Sequence, residues 1–297
     1  MGGYSLYGDI KTLVAFIEES IRSRITLDDL AGAVNLSKYH MSRVFHGVAK
    51  MSPMAYIRRR KLSSSIQELL NTDLKIIDIA LEYGFSFEQT YIRSFANTFG
   101  LSPDRFRKLK PSVVIQDVLN LDDIREIGPN GIAVGPPIVL CPGFLLAGIR
   151  HKIYDMDDYY FHEANAKGNE FFNNGRHRIK NAVDPHIYYG FAEEVPAEGY
   201  SWYTPSVRVS SAEDLPEGMV CHKIPTQIYA VFKYIGLHHA MYTHISNLLD
   251  TLTYIYGVWL PSSGYSMAAP YHFERIDEKI ARQDYCEVEI YVPVVRV

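Results

Sequence analysis

From residue 9 to about residue 110 the apolar positions recur every three to four residues, and two-residue alternation is almost absent. That spacing predicts helices. In "LSKYHMSRVFHGVAKMSP" (36–53), Met41, Val44, Phe45 and Val48 fall at i, i+3, i+4 and i+7, which makes one buried face. Lys38, His40 and Arg43 lie off that face, and Ser37 stands before it as an N-cap. Upstream, "TLDDLAGAV" (26–34) predicts a short helix capped by Thr26, with Asp29 in the capping-box position. The stretch "FEQTYIRSFANTFGLSP" (87–103) says nearly the same thing again. Arg93 answers Arg43, Phe95 answers Phe45, and Ser102-Pro103 answers Ser52-Pro53, each 50 residues on. Before it, "KIIDIALEY" (75–83) predicts the preceding helix and Gly84 the turn. Tyr91, Ile92, Phe95 and Phe99 face in, while Gln89, Thr90, Arg93 and Asn97 face out. Between the copies, residues 52–72 predict one longer helix with four consecutive cations, Arg58 to Lys61.

Prolines and glycines break this pattern between 111 and 143, the expected boundary. Within that boundary, "VVIQDVLNL" (113–121) is apolar enough to pack on a neighbour before the turn residues begin. Beyond it, β-rich stretches at 144–153, 186–195, 200–209, 220–236, 271–277 and 285–295 are interrupted by helical stretches at about 164–181 and 238–261. In the second helical stretch Met241, Ile245, Leu248, Leu249, Leu252 and Tyr256 share one stripe. The order is strand, helix, strand, strand, twice over, a second internal repeat of about 80 residues.

Charge sharpens the division. Residues 1–112 hold 16 Lys and Arg against 11 Asp and Glu, while the remainder holds 14 against 23. A basic helical part joined to an acidic part points to a polyanion partner for the first alone. No run of about 18 apolar residues predicts a membrane span. Asp9 and the scarcity of basic charge before the first apolar stretch do not fit a signal peptide. Cys141, Cys221 and Cys286 are few and far apart, which fits a reducing cytoplasm and offers neither a disulfide framework nor a zinc site. No metal or cofactor is expected.

Two short helices, a turn of three or four residues and a polar face on the second helix make a helix-turn-helix. Two such units on a rod of about 20 residues, about 30 Å long, match the spacing of successive major grooves, about 34 Å. A helical bundle that binds protein is the alternative. At these residues the chain resembles the AraC/XylS family of transcriptional regulators, through "YHMSRVFHGVAKMSPMAYIRRRKL", "IIDIALEYGFSFEQTYIRSF" and "FGLSPDRFR". The resemblance implies seven helices with two helix-turn-helix units. It implies Lys38, Tyr39, His40, Ser42 and Arg43 as one reading face, and Glu88, Gln89, Thr90 and Arg93 as the other. Double-stranded DNA and RNA polymerase are the implied partners, in a bacterial cell. Two departures stand out: Met51 where the family has a helix-ending glycine, and Ala96-Asn97 where a basic pair is common.

In "YCEVEIYVPV" (285–294), Val288, Ile290 and Val292 share one face of a strand, and Glu287, Glu289 and Tyr291 the other. With helices on the valine face, these carboxylates would line the opposite, concave face among the aromatics. A carboxylate beside aromatic rings suits a cationic or amphipathic organic ligand. Residues 144–297 resemble the gyrase-inhibitor-like (GyrI-like) domains, through "SVRVSSAEDLPEGMVCHKIPTQIYAVFKYIG", "WLPSSGYSM", "YHFERID" and "CEVEIYVPV". That resemblance implies two pseudo-symmetric strand-helix-strand-strand modules and a groove between them. Glu289 is carried over as its carboxylate and Trp259 and Tyr229 as walls, and strand parity adds Tyr188, Tyr203 and Tyr291. Phe171 or Phe172 stands where relatives carry a tryptophan.

The expected protein is therefore multidomain. An all-α double helix-turn-helix DNA-binding domain (1–112) is followed by a linker (113–143) and an α+β GyrI-like domain (144–297). It would be a DNA-binding regulator sensing a small organic effector, as multidrug sensors do. The alternatives for the second half are a hydrolase or a protein-inhibitor module. No nucleophile-base pair is evident around His222, His238, His239 or His244, so no catalytic residue is assigned.

Overall fold

The computed structural model describes residues 5–128, 130–154, 159–195, 199–238 and 245–297, with backbone alone at 159–162, 194–195 and 245–248. The expectations at Met241, His239 and His244 lie outside these residues, and those at the side chains of Ile245 and Leu248 lie outside the described side chains. Two compact units emerge, Tyr7–Asp122 and the part containing Asp123–Val297. No helix among the described residues is long and apolar enough to cross a membrane.

The first unit is helical: α1 (Leu6–Glu19), α2 (Leu27–Ala33), α3 (Lys38–Ala49), α4 (Pro53–Ser64), α5 (Ile66–Asn71), α6 (Ile76–Glu82), α7 (Glu88–Phe99) and α8 (Pro103–Leu109). The capping box that opens α2 is formed: Thr26 Oγ1 accepts from Asp29 N at 3.2 Å and the Asp29 carboxylate accepts from Thr26 N at 2.8 Å. Met41, Val44 and Phe45 of α3 are fully buried, as their spacing requires. Tyr91 and Phe95 of α7 are buried too, and Phe95 meets Phe106 edge-on at 5.2 Å.

Three expectations change here. The long helix between the copies is two helices, so eight are described in this unit rather than seven. They part at Ser65, whose Oγ donates to the Leu62 carbonyl at 2.8 Å and pairs with the Tyr91 hydroxyl at 2.9 Å. A hydroxyl that binds the preceding turn competes with the helix ladder and interrupts it. Next, the left-handed helix end that Gly100 provides after α7 (φ +77°) falls on Lys50 after α3 (φ +58°), not on Met51. Of the four cations, finally, only Arg58 and Arg59 are exposed. Arg60 grips the Glu18 carboxylate with two nitrogens, at 2.9 and 2.6 Å, and Lys61 donates to the carbonyls of Ser23 and Tyr83.

The segment at 113–121 does pack, and on this unit. Gln116 N donates to Ser63 Oγ and Leu119 N to the Tyr56 hydroxyl, each at 2.9 Å, and Arg60 donates to the Gln116 carbonyl at 2.7 Å.

The second unit is built on an antiparallel sheet. Its strands are β1 (Ile124–Glu126), β2 (Gly131–Val134), β3 (Ile138–Cys141), β4 (Phe144–Gly148), β5 (His151–Tyr154), β6 (Ile187–Val195), β7 (Tyr200–Val209), β8 (Val220–Ile224), β9 (Gln227–Gly236), β10 (Tyr265–Met267), β11 (Tyr271–Asp277) and β12 (Cys286–Arg296). The order is β1-β2-β9-β12-β11-β6-β7-β4-β8, with β3, β5 and β10 pairing at the sides. The stretch expected as linker thus supplies β1–β3, of which β2 and β3 pair with β9. Its prolines and glycines separate short strands rather than leaving a tether.

Helix α9 (Tyr159–Glu170) follows β5 and α10 (Ile245–Tyr254) follows β9, which completes the two modules. Each helix ends in a five-residue π-turn, Phe171–Gly175 and Ile255–Trp259, and these begin 84 residues apart. The modules join where β6 lies against β11, with Gly190 directly opposite Glu274. Val288, Ile290 and Val292 pack with Leu252 and Ile255 from the helix side. Leu249, expected on that stripe, is exposed, because the buried face of the helix runs instead through Thr251, Leu252 and Ile255.

Gly84 turns the chain between α6 and α7 at φ +70°, and a Cβ there would lie 2.7 Å from the Ser23 carbonyl atoms. The left-handed backbone and the collision with main chain together should make Gly84→Ala about 3 kcal/mol less stable, measured as a fall in the urea midpoint at unchanged slope.

A candidate DNA-reading face and a candidate effector cavity

Both expected reading faces open at a helix N-terminus. In α3, Ser37 Oγ accepts from His40 N at 3.2 Å, which fixes the first turn. Lys38 is exposed and paired with Asp28 of α2. Tyr39 is half exposed, and its hydroxyl accepts from Arg43, whose guanidinium lies 5.3 Å from the Tyr39 ring centroid. His40 meets the same ring edge-on, and Ser42 sits half-buried beside them. In α7, Gln89, Thr90 and Arg93 are exposed and Glu88 is half-buried. No hydrogen bond or ion pair among the described residues engages these four side chains. One face is therefore braced internally and the other is open.

The second unit holds a cavity of about 240 Å³ between α9 and the joint of the two modules. Asn165, Gly168 and Asn169 line it from α9, Phe172 from the π-turn, Tyr188 and Tyr203 from β6 and β7, and Glu274 and Ile276 from β11. Gly168 is needed where it stands, since a Cβ would lie 2.6 Å from the Tyr188 hydroxyl. Gly190 is needed likewise, since a Cβ would lie 2.8 Å from the Tyr203 hydroxyl and 3.1 Å from Glu274 Oε2. The Tyr188 and Tyr203 hydroxyls bond to each other, and burial pushes the Tyr188 phenol well above its ordinary range.

Glu274 is buried, and no hydrogen bond or ion pair among the described residues reaches its carboxylate. Desolvation pushes it up to about 7. Glu278, at the rim, is different. Arg176 donates to it at 2.8 Å while lying 3.5 Å from the Phe172 ring centroid, and that bond holds the Glu278 carboxyl below its usual value. The repeat shows how the site became one-sided. Phe172 packs on Tyr188, and 84 residues on Tyr256 packs on His272, its hydroxyl 3.1 Å from His272 Nδ1. Glycine at 190 is answered by glutamate at 274. Burial keeps His272 neutral, down to about 4. Among the described residues no cluster of three His, Cys, Asp or Glu side chains could hold a metal.

Residues 30–109 match the family model described as a helix-turn-helix domain, and residues 137–294 match the integron-associated effector binding protein family. The chain is 37% identical over 98 residues to the HTH-type transcriptional activator AarP of Providencia stuartii, 33% of this chain and 73% of AarP. It is also 37% identical over 101 residues to the right origin-binding protein of Escherichia coli K12, spanning 34% of this chain and 35% of that protein. An integron cassette protein structure from Vibrio cholerae aligns over 54% of this chain and 96% of its own, with a TM-score of 0.39 and 17% identity. The chain belongs to the AraC/XylS family of regulators, with an effector-binding domain of the integron-associated, GyrI-like type.

In this regulator the structure brings only Tyr188 and Tyr203 of the six sequence-assigned ligand residues to the cavity. Glu289 lies on the other face of the sheet, opposite Arg275 in register, and pairs with it at 3.1 Å. Tyr291 donates to Glu289 at 3.1 Å and stacks on Phe273 at 4.6 Å. Tyr229 is fully buried, its hydroxyl 2.8 Å from that of Tyr271. Trp259 packs edge-on against Phe232 at 5.1 Å and stacks on Tyr265. Of these aromatics Tyr229 is fully buried, while Tyr291 and Trp259 are half-buried among their ring contacts. Of the histidines, His222 is held by Thr204 and Phe191, and His238 by Tyr234. Glu274 was missed although "YHFERID" carries its signal: alternation places His272, Glu274 and Ile276 on one face and Phe273 and Arg275 on the other. Asn165 and Asn169, one helical turn apart, were legible in the same way.

Because Glu274 is raised from 4.5 to about 7 in the folded state, the folded protein loses stability as pH rises from 4.5 through 7. Above pH 7 the full cost of about 3 kcal/mol applies. Glu274→Gln should therefore raise stability by up to about 3 kcal/mol at pH 8 and by little at pH 4.5, as denaturant midpoints across that range would read.

Proposed function

We propose that this protein is a single-chain, ligand-responsive regulator of transcription in a bacterial cytoplasm. In this reading α3 and α7 enter successive major grooves, with Lys38, Tyr39, His40, Ser42 and Arg43 on one half-site and Glu88, Gln89, Thr90 and Arg93 on the next. Arg43 and Arg93 read guanine, and Gln89 reads adenine. The effector is a lipophilic organic cation held in the cavity beneath α9, and its binding shifts the balance between states that differ in affinity for DNA or for RNA polymerase. The observation that carries the ligand class is Glu274: a buried carboxylate without a counter-charge, beside two tyrosines and Phe172. Such a group favours a cation over any neutral guest, because the ligand replaces the charge partner that the protein withholds.

The DNA reading is tested by selecting bound fragments from a genomic library across a salt series. Specific binding should weaken steeply with salt, and Arg43→Ala and Arg93→Ala should each remove the excess over random DNA. Retention of that excess by both variants would sink it. For the effector, the probes are benzyltrimethylammonium and its uncharged isostere neopentylbenzene, measured by calorimetry. The cation should bind at pH 8 and lose about tenfold in affinity per pH unit below about pH 7, as protonation of Glu274 removes its partner. Glu274→Gln should abolish both the preference for the cation and the pH dependence. Equal binding of the two probes by the wild type would overturn the assignment.

A further inference from the structure

The two helix-turn-helix units differ at one position in a way their shared pattern does not require. Ser37 caps α3, and the residue 50 positions later, which opens α7, is Phe87. Phe87 occupies the N-cap position with extended backbone (φ −141°, ψ 134°) and makes no side-chain cap. The residue is 71% exposed, the highest exposure of any phenylalanine whose side chain is described. Packing does not account for it. Two residues earlier Phe85 already supplies the aromatic contact to α7, edge-on to Tyr91 at 5.3 Å. Phe87 thus gives up a hydrogen bond that serine, asparagine or aspartate would make, and leaves a phenyl ring in water. It does so at the N-terminal end of the reading helix, the part that reaches base edges in a major groove. Its chain neighbours are Glu88, Gln89 and Thr90, polar side chains of which only Thr90 carries a methyl group, and none offers an apolar surface the size of a phenyl ring. In the major groove the one apolar base feature is the C5-methyl group of thymine.

We propose that Phe87 is a specificity-determining residue of the second half-site, reading a thymine methyl group by apolar contact next to the bases met by Gln89 and Arg93. This rests on the reading of α7 as a DNA-recognition helix and extends it to an apolar contact that its charged and amide side chains do not make. The first unit, with Ser37 at the same place, makes no such selection there.

The test uses the full chain. Duplexes selected from a randomised library by the wild type are resynthesised with each thymine replaced in turn by deoxyuridine, which differs by the methyl alone. At one or two thymines of one half-site the wild type should lose about fourfold in affinity, the scale of one buried methyl. Phe87→Ser should bind the thymine and uracil duplexes equally at those positions, while Phe87→Leu should keep the preference. Phe87→Ser restores a cap, so its melting temperature should equal or exceed that of the wild type, and a weaker complex then cannot be put down to misfolding. A wild type that selects a defined operator but is indifferent to every thymine methyl would overturn the proposal alone. A wild type that selects no sequence would overturn the DNA reading and the proposal with it.

Discussion

The effector domain turns on one cross-strand pair, Gly190 opposite Glu274, where its two modules meet. The modules are copies, so their joint would by default be symmetric and filled. Glycine on one side removes the side chain that would collide with the Tyr203 hydroxyl and the Glu274 carboxylate. Glutamate on the other side puts a charge into the space so released. The helix α9 closes that space only because Gly168 lets the Tyr188 hydroxyl approach its backbone. Two glycines and one carboxylate turn a repeat that could have packed solid into a one-sided cavity.

Electrostatics then decides which carboxylate is available. Glu289 is answered by Arg275, Glu287 by Lys233 and Glu278 by Arg176. Each pair satisfies itself and leaves little field for a guest. Glu274 is flanked on its own face by neutral groups, His272 and Ile276 along the strand and the bonded tyrosine hydroxyls across it. Burial without a partner is unfavourable for an anion, so the empty site favours the acid and a cationic guest favours the carboxylate. In the proposed reading, the same desolvation that makes the site costly is what makes it discriminate.

The helical domain divides its cations by the same rule. Arg60 and Lys61 are spent on holding α4 to α1 and to the turns at Ser23 and Tyr83, and Arg60 also ties down the segment at 113–121. The side chains left outside on α3 and α7 are those the repeat marks as polar. Rigid scaffolding below and solvated side chains above is what a reading surface needs, and on α3 Lys38 and Arg43 are in addition held by Asp28 and Tyr39.

The sequence by itself determined the helix-turn-helix pair, because caps, turn glycines and a 3.6-residue period are local and each acts within a few residues. It determined the strand-helix-strand-strand repeat for the same reason, and the split of faces in β12, where Val288, Ile290 and Val292 do pack under the helices. It did not determine which face of the sheet carries the cavity. Glu289 and Glu274 are both glutamates in alternating strands next to aromatics, and parity alone ranks them equally. Register decides between them by setting Arg275 opposite Glu289 and glycine opposite Glu274. The short strands β1–β3 were hidden for a related reason: β2 and β3 pair with β9, about a hundred residues away, β1 pairs with β2, and a strand of three or four residues has too little pattern to declare itself without its partner. Which carboxylate stays unpaired is a property of neighbours distant in the chain, and only the tertiary structure brings them together.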